Sequence, residues 1–417
     1  MKIYKFGGAS VKDAQGVRRL AQIIQEEDLP LIVVVSAMGK TTDALERLTA
    51  EYWRHKNDYS DLFNEIKNYH FKIVEELFEP DHRIYAVLNQ LFNQLYNRIH
   101  QNPSMNYDYE YDQIVSYGEM FSTIIVSEYL DKSGFPVSWL DVRTMIKTDN
   151  KFRDANVNWD LTLYKISSTD FSEKQVYVTQ GFIASTFNGQ TTTLGREGSD
   201  FTGAIFAWAL NAESLTVWKD VEGVYSADPK RFSDAVKYER LSYQEAIELA
   251  FYGAKVIHPK TIKPLFEKKI PLYVRSFNNP QGLGTVIADY EAGMQPQVPA
   301  IIVKPDQVLI SLWYRNFDFI SESSLQVIFT ILEKYHFRAN VMQRTALKLS
   351  LSVDYDPVET ESFLNELQMY FQLRYNLGLT LYTFRHYTDD VIKKTIAGRR
   401  VYLHQQSRVM SYYLVKD

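Results

Sequence analysis

Two short runs of branched apolar residues, 1–6 and 29–36 (LPLIVVVS), flank a stretch at 13–27 whose apolar side chains recur every three to four positions. Runs of the first kind suit strands and spacing of the second kind suits a helix. The chain therefore predicts strand, helix, strand at its start, with parallel pairing of the two strands. From 42 to 113 the spacing is helical throughout, rich in Asn, Tyr, Glu and Lys, which predicts a helical insertion at about 43–113. Strand signals return at 137–140, 176–181, 215–218 and 272–275, alternating with helical stretches at 200–211 and 243–252. Such alternation predicts one α/β domain over residues 1–288.

Gly293, Pro296, Pro299 and Pro305 then fall close together, and residues 289–305 are expected to be a linker. Beyond it the pattern predicts a strand at 307–314, a helix at 324–335, strands at 337–342 and 347–353, and a helix at 357–370. A strand at 379–386, a helix at 389–397 and strands at 399–403 and 409–416 follow. Two rounds of a small α+β pattern over 306–417 account for this order.

A chain of 417 residues exceeds what one core usually serves, so two or three domains are expected, one free to be regulatory. Its net charge of -5 supplies no basic excess for a polyanion, which argues against a nucleic-acid partner. No run approaches the length of a membrane span and the first ten residues lead straight into a strand, so a cytoplasmic protein is expected. The chain has no cysteine, which removes disulfides, thiolate metal sites and cysteine nucleophiles. Chemistry must rest on carboxylates, lysine, arginine or backbone amides.

Four loops carry such groups. Lys5-Phe6-Gly7-Gly8-Ala9-Ser10 leaves a strand and enters a helix, so its glycines let amides approach an anion at a positive helix end. Gly-Gly at such a place also serves as a plain tight turn; the flanking Lys5 favours the anion. Thr193-Leu194-Gly195-Arg196-Glu197-Gly198-Ser199-Asp200 opens a second helix with a guanidinium, a hydroxyl and a carboxylate. Its arginine can grip a carboxylate bidentately, and Asp200 can either cap the helix or face a phosphoryl group and its Mg²⁺. The stretch from Trp218 to Lys230 (WKDVEGVYSADPK) is either a nucleotide-lining loop or a solvated turn ending at Asp-Pro. Gly253-Ala254-Lys255-Val256-Ile257-His258-Pro259 adds a lysine that would ordinarily be a surface charge.

In this order the loops, with SAMGKTTDAL from Ser36 and VSYGEMFS around Glu119, resemble the aspartate kinases of the amino acid kinase superfamily. The resemblance runs over essentially the whole chain, since residue 307 onward is similar to that family's paired ACT regulatory modules. It implies a mainly parallel sheet sandwiched by helices, followed by α+β ferredoxin-like ACT domains. It implies that ATP, with Mg²⁺, phosphorylates the side-chain carboxylate of L-aspartate, the first step toward lysine, threonine and methionine. In that family the lysine matching Lys5 steadies the transferring phosphoryl group and the aspartate matching Asp200 organises the site. Thr42, Glu119, Arg196 and Ser199 match the residues that hold aspartate. Gly7, Gly8, Ser36, Lys219, Asp220, Tyr225, Lys230, Lys255 and Val256 match the nucleotide contacts, with no metal ligand assigned beyond the ATP phosphates. A homodimer through the ACT region, or a larger oligomer, is implied, with lysine or threonine as an effector.

The chemistry agrees with what is missing. A carboxylate with an ordinary pKa of about 4 is already deprotonated at neutral pH and needs no general base. The difficulty is electrostatic, since each pair of like charges at about 4 Å repels by roughly 4 kcal/mol in a surface-like dielectric. Lys5, Arg196, Lys255 and Mg²⁺ are the expected cations.

Three positions depart from the family pattern. Glu197 stands where glycine follows the arginine, so its carboxylate should point away or pair with a cation. Lys219 stands where a small hydroxyl residue is usual. Asn340 occupies the place where lysine-sensitive relatives carry an aspartate, which argues against feedback by lysine. Two rival readings are an enzyme of the superfamily acting on another acceptor, and a catalytically silent amino-acid sensor. One methylene separates aspartate from glutamate and is worth only about 1–3 kcal/mol in a pocket. Fusion to a dehydrogenase is not expected at this length.

Overall fold

The computed structural model describes residues 1–54, 59–254, 257–316 and 318–416. It divides into two compact units, one comprising residues 1–224, 237–247 and 255–296, the other residues 225–236, 248–254 and 297–417.

The first unit is built on a nine-stranded sheet. Its central order is Leu272–Ser276, Ser214–Lys219, Lys2–Phe6, Leu31–Val35, Val176–Gln180, Val137–Leu140, every neighbouring pair parallel. All five residues of Leu31–Val35 and of Val176–Gln180 are buried. Continuous apolar strands of this kind belong to a parallel sheet covered on both faces. Thr285–Ala288 turns antiparallel at one side, and Arg240–Ser242 and Met294–Gln295 complete the edge.

The helix Ala14–Gln25 starts where Asp13 accepts from the Gly16 N–H at 2.8 Å, an N-cap that stabilises a helix by about 1 kcal/mol. The helical region consists of Thr41–Trp53, Ser60–Leu77, Ile84–Ile99, Tyr107–Val115 and Tyr117–Lys132. Its apolar faces meet around Phe92 and Phe121, stacked with centroids 4.1 Å apart. His70, fully buried beside both rings, has its Nδ1 at 2.7 Å from the Ile66 carbonyl.

Two further elements place the functional loops. A small sheet of Lys147–Thr148, Ile183–Thr186 and Thr191–Thr193 leads into the loop before the helix Gly198–Ala209. That helix is buried at every position except Trp208. Gly203 lets it close on the sheet, because a Cβ there would lie 2.9 Å from Leu215 and 3.7 Å from the Lys5 side chain.

The second unit is a six-stranded antiparallel sheet in the order Val341–Arg344, Leu349–Asp354, Ala300–Trp313, Gln372–Arg385, Met410–Lys416, Arg400–Gln406. The helices Glu322–Lys334 and Thr360–Tyr370 pack on one core with Val308, Ile310 and Leu351. Asp389–Ile396 packs through Ile392 on a separate core with Tyr382 and Phe384.

Ala300–Trp313 begins inside the stretch expected to be a linker. Residues 300–304 pair with Gln372–Arg385, and the register shifts between Lys304 and Gln307. Pro305 lacks an N–H and sits at that irregularity, where a strand tolerates proline. Prolines read in sequence as a break thus mark the bulge between the two halves of one long strand, each half serving a different core.

Candidate active site

Parallel pairing of Lys2–Phe6 with Ser214–Lys219, Phe6 opposite Trp218, brings two strand ends and the Gly7-Gly8 turn to one edge of the sheet. The helix Gly198–Ala209 lies over both strands, so Asp200 in its first turn meets side chains from each. Lys5 Nζ lies 2.6 Å from one carboxylate oxygen of Asp200 and Lys219 Nζ lies 3.1 Å from the other. Asp200 is 1% exposed. Burial opposes its charged form, but Lys219 and Lys5 outweigh that and hold the carboxyl below its ordinary value. Burial likewise works against the Lys219 ammonium, while Asp200 and then Glu197 hold it above the ordinary lysine value. A carboxylate shared by the buried Lys5 and the partly buried Lys219 satisfies the rule that interior charges are paired.

The glycine turn is shaped by close approaches. A Cβ on Gly8 would lie 2.5 Å from the Ala37 carbonyl oxygen, and the Gly39 N–H donates to the Gly8 carbonyl at 3.0 Å. A Cβ on Gly7 would lie 3.7 Å from Lys5 Nζ. The turn and the loop from Ser36 are therefore locked backbone to backbone, with Ser36 donating to the Phe6 carbonyl at 3.1 Å.

Glu119 comes to this loop from the helix Tyr117–Lys132. Gly118 permits the approach, since a Cβ there would lie 2.9 Å from Ala37. One oxygen of Glu119 accepts from the Ala37 N–H at 3.1 Å, and Ser122 donates to the Ser36 carbonyl at 2.7 Å. The other oxygen is buried with no hydrogen-bond partner among the described residues. Burial pushes this carboxyl up to about 8, against the pull of the Ala37 N–H and the charge of Lys5. A buried, unsatisfied acceptor with a raised carboxyl marks a candidate functional group.

The remaining expected residues are placed as follows. Thr42 lies in the first turn of Thr41–Trp53. Ser199 is buried, packed where a side chain on Gly181 would fall 2.5 Å from it. Arg196 is exposed, as is Asp220 just beyond Lys219. Tyr225 and Lys230 belong to the second unit, in the segment 225–236. Lys255 and Val256 lie outside the described residues. Glu197 adopts a left-handed backbone with φ of 55° at the start of the helix, and its charge acts on Lys219.

Sequence reasoning missed a brace behind the arginine loop. Asp112 accepts from the Thr193 N–H at 2.9 Å, the Thr193 hydroxyl at 2.7 Å and the Arg153 N–H at 3.0 Å. Burial raises its carboxyl to about 6 against those bonds. An acid in a polar helix reads as surface, and no local signal marks it as interior. Among the described residues no cluster of three or more His, Asp or Glu could hold a metal ion.

The arrangement places two lysines paired with one carboxylate beside a glycine turn and, on the loop from Ser36, a buried carboxyl with one unpartnered oxygen. Residues 1–276 match the Amino acid kinase family. Lysine-sensitive aspartokinase 3 of Escherichia coli is 30% identical over 409 residues, 96% of this chain and 90% of that protein. The crystal structure of E. coli aspartokinase III in complex with aspartate and ADP, in its R-state, is similar with a TM-score of 0.85 at 27% identity, covering 100% of this chain and 96% of that one. The T-state structure of E. coli aspartokinase III in complex with lysine and aspartate gives a TM-score of 0.82 at 27% identity, with the same coverage.

Proposed function

The chain belongs to the amino acid kinase family, among its aspartokinases, and we propose that the Lys5–Asp200–Lys219 cluster is where it transfers the γ-phosphoryl group of ATP to the side-chain carboxylate of L-aspartate. The observation that carries this reading is the buried carboxylate gripped by two lysines at the Gly7-Gly8 turn, with the unpartnered oxygen of Glu119 nearby in charge.

In this reading a carboxylate oxygen of aspartate forms the new bond to phosphorus. The bond from phosphorus to the bridging oxygen breaks, and ADP leaves with the electron pair. No proton moves, so no histidine is needed. Lys5 and Lys219 offset charge on the phosphates, and Asp200 fixes both in place before substrate arrives, which is the preorganisation that dominates phosphoryl transfer. The amides of Gly7 and Gly8 and the hydroxyl of Ser36 line the nucleotide side, with Asp220. Glu119 receives the substrate ammonium, Arg196 its α-carboxylate, and Thr42 and Ser199 supply hydroxyls. Mg²⁺ enters as part of the nucleotide substrate and adds charge neutralisation on the phosphates.

The second unit is read as regulatory and dimer-forming. Phe319, Phe329, Met369, Tyr370 and Tyr375 are exposed there, apolar side chains that a partner subunit would cover in this reading. Asn340 argues against lysine as the effector. The Asn340 amide oxygen accepts from Lys304 Nζ at 2.9 Å, and its nitrogen donates to Gln307 at 2.8 Å and Asp354 at 2.9 Å. An amide engaged in this way offers an incoming ammonium no counter-charge. Millimolar L-lysine should leave the rate unchanged, and dose-dependent inhibition would overturn that statement. Among the described residues no helix is long and apolar enough to cross a membrane.

The direct test is ATP consumption with L-aspartate, L-glutamate or no acceptor, trapping the acyl phosphate with hydroxylamine and repeating with Lys5→Ala. Aspartate-dependent hydroxamate that vanishes in the variant is expected. Reaction with another acceptor alone would reject the substrate, and silence with every acceptor would favour an amino-acid sensor.

A further inference from the structure

Asp112, fully buried in the helix Tyr107–Val115, is a charged group that phosphoryl transfer itself does not use. One of its carboxylate oxygens accepts from the Thr193 N–H at 2.9 Å and from the Arg153 N–H at 3.0 Å, and the other accepts from the Thr193 hydroxyl at 2.7 Å. Both partners lie far along the chain from this helix. Gln113 repeats the link, donating to the Thr191 carbonyl at 2.8 Å. A buried N–H needs an acceptor, and for Thr193 a helix acid provides one. The Thr193 carbonyl in turn accepts from the Ala155 N–H at 3.0 Å, so this residue is held on both sides.

Thr193 opens the loop that carries Arg196. Leu194 is fully buried and its N–H donates to the Phe182 carbonyl at 2.8 Å. Gly195, at φ of 75°, lies against Asp154, where a Cβ would fall 2.7 Å from a carboxylate oxygen. The chain then turns, the Gly198 N–H donating to the Gly195 carbonyl at 3.0 Å, and Arg196 is exposed within that turn. The base of the turn is therefore fixed at 193–195. The helical stretch that fixes it also carries Glu119. Tyr107–Val115 passes into Tyr117–Lys132 through Ser116, whose backbone stays helical at φ of -57° and ψ of -21°, and Asp112 stands about two turns before Glu119.

We propose that Asp112 is a positioning residue for recognition of the acceptor: by tying the base of the Arg196 turn to the helical stretch that carries Glu119, it sets the separation at which the α-carboxylate and the ammonium group are gripped. This rests on the assignment of Arg196 and Glu119 to those two groups. Asp112 touches neither substrate nor nucleotide, and its effect passes through Arg196. A guanidinium already held at its working distance spares the ordering cost that a loose loop would incur on binding.

The test is a cycle of Asp112→Ala, Arg196→Ala and the double variant, with Asp112→Asn as the conservative control. Melting temperatures establish folding, calorimetry with a non-hydrolysable ATP analogue gives nucleotide affinity, and initial rates give kcat and KM for aspartate. Asp112→Ala should raise KM for aspartate about tenfold with nucleotide affinity unchanged, and should add almost nothing once Arg196 is alanine. Asparagine can turn its oxygen to both N–H groups and its amide nitrogen to the Thr193 hydroxyl, so Asp112→Asn should recover most of the loss. A residue that merely holds the core would weaken nucleotide and aspartate binding alike and act equally in both backgrounds; either result would overturn the proposal. Should Asp112→Ala not fold, Thr193→Val removes one donor alone and should raise KM about threefold, again only while Arg196 is present. If Arg196→Ala leaves KM for aspartate unchanged, or wild type phosphorylates no aspartate, the substrate reading fails separately. The brace is then decided by amide hydrogen exchange: residues 193–199 should exchange about tenfold faster in Asp112→Ala than in wild type, and equal rates would overturn it.

Discussion

Aspartate binding should depend steeply on pH through Glu119, and the slope follows from its burial. Its carboxyl is held at about 8 rather than 4.5, which corresponds to about 5 kcal/mol of disfavour for the charged form in the empty site. A substrate ammonium at the unpartnered oxygen would offset that cost, so binding expels a proton wherever Glu119 starts protonated. At pH 6 about one molecule in a hundred carries the charge and at pH 8 about half do, so KM for aspartate should fall roughly fifty-fold between them. The side chain of aspartate ionises near 4 and stays charged across this window. Initial rates at saturating MgATP, with aspartate varied at each pH from 6 to 8.5, measure the slope directly. Glu119→Gln should raise KM and abolish its pH dependence while leaving nucleotide affinity unchanged. A flat KM in the wild type, or the same slope in Glu119→Gln, would refute the argument that the buried carboxylate is the ammonium receptor.

Other consequences follow from single contacts. Asp200→Asn leaves the buried Lys5 and the partly buried Lys219 facing a neutral amide; loss of about 3–5 kcal/mol in denaturant unfolding is expected, with kcat reduced at least about a hundred-fold, and a wild-type kcat would contradict the organising role. Gly8→Ala drives a methyl against the Ala37 carbonyl at 2.5 Å, which should cost about 1–3 kcal/mol and weaken nucleotide binding; unchanged affinity by calorimetry would show that the turn relaxes. Burial lowers the His70 imidazole to about 4 from 6.5, so the folded state binds fewer protons than the unfolded chain in that interval. Stability should therefore be intact above 6.5 and fall by about 3 kcal/mol as pH drops to 4, a loss that His70→Asn should remove from the denaturation profile.

Much of this molecule is local and therefore legible in sequence. Leu31–Val35 reads as a strand because all its residues are apolar and branched, and it is buried on both faces. The loop at Lys5 to Ser10 reads as an anion cradle because two glycines leave a strand and enter a helix. The motifs from Gly7 to Asp200 and Lys219 could each be recognised, with their order, from short stretches of side-chain type and spacing.

What no stretch contains is the distance between stretches. Lys5 and Lys219 are far apart in the chain and share one carboxylate only because their strands are parallel neighbours and Gly203 lets a helix settle on both. Glu119 is legible through its motif and Asp112 reads as an ordinary helical acid, but the burial of both, which pushes one carboxyl up to about 8 and the other to about 6, is a property of what packs over them. Ala300–Trp313 shows the same limit from the other side. Pro299 and Pro305 signal a break locally, yet pairing with Gln372–Arg385 on either side of the bulge keeps the strand continuous. Residue type and spacing thus determined the elements and the kinds of chemistry available, whereas charge state, counter-charge and strand continuity were decided by solvent exclusion and by partners distant in the chain, which only the tertiary structure supplies.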